Sequence, residues 1–148
     1  MNMRMTAPGI SAPVQQPQPG RQITQSVLAW MPTCGARGQL SGSSTTLYTA
    51  PTGTTPTGNT QKAKLKAILL HNTDSVDRTI TIYIIESGGS VADNRAMLKA
   101  VTIPTGKLWI IEFGDGVTLE GGETVRGLAS TANVITYRID VEEMMLLA

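Results

Sequence analysis

Beyond Leu47 the chain falls into short aliphatic runs separated by clusters of Gly, Pro, Asn and Asp, and within several runs apolar and polar residues alternate. Period-2 alternation buries one face of a strand and leaves the other for solvent or a partner. The pattern predicts strands over 45–50, 62–71, 78–86, 98–103, 108–113, 117–119, 124–130 and 133–141. In 62–70, Ala63, Leu65, Ala67 and Leu69 share one face, and Lys62, Lys64 and Lys66 share the other. In the next run Ile80, Ile82 and Ile84 oppose Thr79, Thr81 and Tyr83. In the last, Ile135, Tyr137, Ile139 and Val141 oppose Val134, Thr136, Arg138 and Asp140.

The links between runs are short and polar. Residues 72–77 separate two strong strands and predict a hairpin. Pro104-Thr105-Gly106 is again of hairpin length, Gly121-Gly122 breaks the chain, and 88–97 has room for one helical turn. No amphipathic helix of 10–15 residues lies between strands, which argues against a parallel βαβ architecture. The expectation is an all-β fold: an antiparallel β-sandwich or jelly-roll-like domain of about eight strands.

The first 40 residues read differently. Pro8, Pro13, Pro17 and Pro19, interspersed with glutamines, cannot join a sheet interior or continue a helix, and their default is extended chain. Residues 1–22 read either as a disordered tail or as an arm that becomes ordered on another surface, and the arm is the expectation carried forward. The run 23–31 is ambiguous between helix and strand, Pro32 forbids its continuation, and 33–46 reads as a loop. The predicted division is an extended arm and linker over 1–40 and a sandwich domain over 41–148.

Composition adds little that is decisive and excludes a good deal. A chain of 148 residues, 41% hydrophobic with a single Phe, fits one aliphatic core. Cys34, the only cysteine, has no internal disulfide partner. No apolar run approaches the length of a membrane span, and the N-terminus lacks the apolar centre of a signal peptide, so a soluble, unexported product is expected. The net charge of +1 hides a polarity. Residues 1–73 hold six bases and no acid, whereas 74–148 hold six bases and all eleven acids, giving +6 and −5. Either copies or neighbours meet with opposite fields facing, or folding mixes the halves.

Side chains suited to catalysis are scarce. His71 is the only histidine, so one chain cannot assemble a Cys/His zinc set, and a Ser/His/acid triad would depend on a residue placed at a strand end. Neither phosphate-cradling glycine motif occurs, and Gly114-Asp115-Gly116 reads as a turn. The expectation is a protein that is not an enzyme and takes no cofactor or metal. Lys62, Lys64 and Lys66 allow three readings: phosphate contact without interleaved aromatics for base stacking, a guard against sheet-edge pairing, or docking on an acidic protein surface. Together with Arg4, Arg21 and Arg37 they form the candidate partner-binding set. Met144, Met145, Leu146 and Leu147 form a candidate apolar interface, because such a patch left in water invites aggregation.

Three stretches carry a resemblance: Leu47-Tyr48-Thr49-Ala50-Pro51-Thr52-Gly53-Thr54, Lys64-Leu65-Lys66-Ala67-Ile68-Leu69-Leu70-His71-Asn72-Thr73 and Leu119-Glu120-Gly121-Gly122-Glu123-Thr124-Val125-Arg126. With Arg78-Thr79-Ile80-Thr81-Ile82-Tyr83-Ile84 and Ile103-Pro104-Thr105-Gly106, they resemble small β-sandwich domains in structural proteins of tailed-bacteriophage virions. The resemblance spans residues 45–141. It implies a capsid decoration (cement) protein or a tail, neck or fibre component, often a homotrimer. The implied partners are the major capsid protein or other virion proteins, with neither nucleic acid nor membrane, and the implied place is the virion, assembled in the host cytoplasm. A carbohydrate- or receptor-binding module is the rival from another class.

Overall fold

Alternating strands close a core only when two sheets face each other, and that is the arrangement found. In a computed structural model, which describes residues 27–54 and 58–147, eight strands follow in order. They are β1 (Val27–Gln39), β2 (Thr45–Thr49), β3 (Ala63–Asn72), β4 (Arg78–Ile85), β5 (Ala96–Ile103), β6 (Leu108–Leu119), β7 (Thr124–Ala129) and β8 (Ile135–Leu147). The helical turn expected within 88–97 is a single 3-10 turn, Asp93–Arg95. One sheet, here sheet A, has the order β1-β8-β3-β6; sheet B has β2-β7-β4-β5.

The order is that of an all-antiparallel jelly roll. β1 pairs β8, β2 pairs β7, β3 pairs β6 and β4 pairs β5, so the chain is one long hairpin rolled up on itself. Further pairs, β3 with β8 and β4 with β7, stitch the roll together. β4 and β5 form the hairpin at its tip; every other link passes between sheets. The links at 72–77 and 104–107 are therefore not the hairpins their length suggested. Sheets pack roughly 10 Å apart, a gap that a few residues cross as easily as they turn back, so length alone cannot separate the two outcomes.

Asn72 fixes this corner. It is fully buried, its Nδ2 donates to the carbonyls of Val76 and Ile103 (2.9 Å each), and its Oδ1 accepts from the Asp74 N–H at 2.9 Å. Its backbone N–H reaches the Lys107 carbonyl and its carbonyl accepts from Gly106 N–H, so both crossings are tied to one residue. Thr105 then bonds Asp77 and the Asp74 carbonyl, and Arg78 pairs with Asp74. Arg78 and the Ser75 N–H hold the Asp74 carboxyl below its ordinary range.

The core is aliphatic, as composition required: Leu40, Leu65, Ile68, Leu70, Ile80 and Ile82 are among its fully buried members. In β8, Ile135, Ile139 and Val141 point inward as the alternation predicted. In β3 the predicted face holds only for Ala63 and Leu65. A register shift between Leu65 and Ala67 against both neighbours inverts the phase, and Ile68 and Leu70 take the buried positions in place of Ala67 and Leu69. A bulge adds a residue and so exchanges the faces beyond it. In β4 both Ile82 and Tyr83 are buried, which blurs the simple alternation.

Two further expectations are corrected. Residues 27–39 form a strand running through Pro32 and through the first half of the stretch read as a loop. Proline is tolerated there because β1 lies at the edge of sheet A, where a missing N–H need not break a ladder. Gly114-Asp115-Gly116 does not separate two strands but forms an excursion within β6, between the residues opposite Leu65 and Ala67. Its glycines adopt φ of 57° and 97°, values that residues with a Cβ reach only under strain. The Pro-rich arm, 1–22, lies outside the described residues.

Candidate assembly surfaces

The basic set does not come together as an open patch. Lys62 pairs with Glu120 at 2.9 Å, Lys64 lies over the Trp30 ring 4.6 Å from its centre, and Lys66 donates to the Gly114 carbonyl at 2.8 Å, with Glu142 at 4.0 Å. Each lysine thus has a partner in its own chain. Sheet A explains why, because strands of the basic half (β1, β3) alternate with strands of the acidic half (β8, β6). The charge polarity of the sequence becomes cross-strand attraction inside one sheet. Arg37 is exposed on β1 and sits opposite Arg138, whose guanidinium is engaged by Asp140 at 2.6 Å. Arg4 and Arg21 lie outside the described residues.

The C-terminal segment is strand. Met144, Met145, Leu146 and Leu147 continue β8 and face Trp30, Ala29, Leu28 and Val27 of β1 in register. Met144 is half-buried and lines a hollow with Lys62 and Glu120. The strand direction at this end carries Glu143 between the sheets, where its Oε1 accepts from the Tyr48 hydroxyl at 2.7 Å. Burial, reinforced by this carboxylate, pushes the Tyr48 phenol well above its ordinary pKa.

The residues considered for chemistry stand apart. His71 is on the outer side of sheet A between Thr136 and Leu108, and Cys34 is exposed on β1 opposite Asp140. Among the described residues no three His, Cys, Asp or Glu side chains gather as a metal would require. A shallow hollow of about 420 Å³ beside Cys34 is lined by Lys66, Arg138, Asp140 and Glu142, a balanced set of charges.

One surface escaped the sequence reading. At the start of β6, Leu108, Trp109 and Ile110 are 54%, 37% and 55% exposed, three large apolar side chains in succession. They lie on the free edge of sheet A, and among the described residues no strand pairs with its outer side. A second hollow of about 270 Å³, lined by Leu69, His71, Leu108 and Tyr137, continues this patch across the outer face. The signal was present in Leu-Trp-Ile-Ile, which does not alternate. A run without alternation fits burial on both faces as well as exposure of one, and strand order alone shows that this run is at an edge.

No family model and no curated protein matches the chain. Among solved structures it is similar over 99% of its length to a whole chain from the work "Bacillus endospore appendages form a novel family of disulfide-linked pili", with TM-score 0.48 and 14% identity. It is also similar, over 94% of its length, to 36% of a chain in a structure of infectious bursal disease virus Gx strain, with TM-score 0.42 and 11% identity.

Proposed function

We propose that the chain is a structural subunit of a virion, and specifically a capsid decoration protein of a tailed phage that rests on the shell and stabilises it. The observation that carries this reading is the β6 edge, where the jelly roll shows large apolar side chains and, among the described residues, no pairing strand on its outer side. The strand-and-turn segments that resemble phage virion sandwiches support the same reading. The Pro-rich arm suits it as well, since extended chain covers a long stretch of surface per residue.

In this role the jelly roll supplies a rigid body with an apolar edge, and the arm bridges adjacent shell subunits. The basic set narrows to Arg4, Arg21 and Arg37, because the three lysines already serve the fold. The test is immuno-electron microscopy of purified particles together with their subunit stoichiometry. Regular label over the head at high copy number is expected. Label confined to one vertex or the tail at low copy number would move the protein to a tail, neck or fibre position. Its absence from particles would overturn the reading.

A further inference from the structure

Two hollows open on sheet A, and they differ in charge. In the one beside Cys34, Lys66 and Arg138 are balanced by Asp140 and Glu142. The other, of about 270 Å³, is lined by Arg37, Leu69, His71, Leu108, Thr136 and Arg138, with no acid in its walls. Register explains how distant segments supply it. Arg37 faces Arg138 across the β1–β8 ladder, Leu69 faces Arg138 from β3, and His71 lies between Thr136 and Leu108. Two guanidinium groups directly opposite on neighbouring strands repel. Asp140 offsets one of them through Arg138 Nε at 2.6 Å. Arg37 is exposed and has no ion pair among the described residues. The hollow thus combines uncompensated positive charge with an apolar wall, Leu69 and the half-exposed Leu108.

That combination selects its occupant. We infer that the hollow receives a carboxylate side chain from an extended segment of a partner protein, with an apolar neighbour of that residue packing on Leu69 and Leu108. A guanidinium fork matches a carboxylate in shape as well as in charge. His71 and the Thr136 hydroxyl add further hydrogen-bonding groups. Size points to a single side chain, because pockets that enclose a free small molecule span roughly 300–1,000 Å³. The chain's own N-terminal stretch is not the occupant: residues 1–26 contain Arg4 and Arg21 and neither Asp nor Glu.

This inference rests on the structural-subunit reading and deepens it by giving the chemistry of what the subunit grips. Its test needs only the full chain in solution and short peptides, so its failure leaves the particle-labelling result standing. The isotope-labelled chain is titrated with blocked Leu-Glu-Leu, Leu-Gln-Leu and Leu-Lys-Leu peptides and with hexanoate, and backbone amide NMR shifts are followed. The glutamate peptide should move the signals of Arg37, His71, Thr136 and Leu108. The glutamine peptide should bind about tenfold more weakly, the loss of a charge-assisted contact, and the lysine peptide should not bind. Arg37→Gln should weaken the glutamate peptide about fivefold, the upper end for an exposed charge pair. Leu108→Glu should abolish binding, and neither variant should lower the melting temperature. Lys99→Gln, which removes a cation from sheet B, should change nothing. Equal binding of the glutamate and glutamine peptides, or binding indifferent to Arg37→Gln, overturns the proposal. So does hexanoate held as tightly as the peptide, or a hollow whose signals never move.

Discussion

Asn72 and Leu108 are almost neighbours, since the Asn72 N–H bonds the carbonyl of Lys107, yet they sit in opposite environments. At the corner every polar group of a fully buried amide is satisfied, and two crossings are locked by it. Next to it the β6 edge shows large apolar side chains to solvent. Poor folding would be expected to loosen both. The corner serves stability and the edge is proposed to serve contact, and substitutions at the two should separate these properties.

The largest effect is expected at the corner. Asn72→Ala leaves the Val76 and Ile103 carbonyls and the Asp74 N–H without partners, at a cost of about 3 kcal/mol in urea unfolding; a change near zero would remove Asn72 as the clamp. Gly35→Ala probes the guarded β1 edge, because a Cβ there would come within 3.0 Å of the Tyr48 ring and 3.1 Å of Val141. Overpacking of that kind costs about 1–2 kcal/mol.

Tyr48→Phe removes the bond to Glu143 and should cost about 1 kcal/mol. The phenol pKa is raised on folding, so its contribution is complete below about pH 10 and declines as the pH climbs toward the folded value. Wild-type stability should therefore fall in alkaline solution more steeply than that of the Phe variant. Asp74 works in the other direction. Its pKa is lowered, so its contribution is present above about pH 4 and fades as acid protonates it, and Asp74→Asn should flatten the acid limb of the stability profile. Smallest in stability is Ile110→Lys, expected within about 0.5 kcal/mol. A large destabilisation there would mean that the edge belongs to the core and would dissolve the comparison.

The antiparallel all-β class, the inward face of β8 and the single helical turn before β5 were legible from period and punctuation, because local spacing dictates which side chains share a face. Where local spacing was interrupted the reading failed. The bulge after Leu65 exchanged the faces of β3, and Pro32 proved compatible with a strand once that strand lay at an edge. Of the candidate surfaces, the lysine row was visible but its saturation was not, since Glu120, Glu142, Trp30 and the Gly114 carbonyl come from distant parts of the chain.

By itself the sequence determined that strands would form, that their core would be aliphatic and that its two halves carried opposite charge, all properties of neighbours in the chain or of simple counting. Tertiary structure alone decided which links cross between sheets, which lysines are already paired and which apolar run stands at an open edge. Those outcomes depend on strand order, and strand order is set by contacts between residues far apart in the chain, where no local pattern reaches.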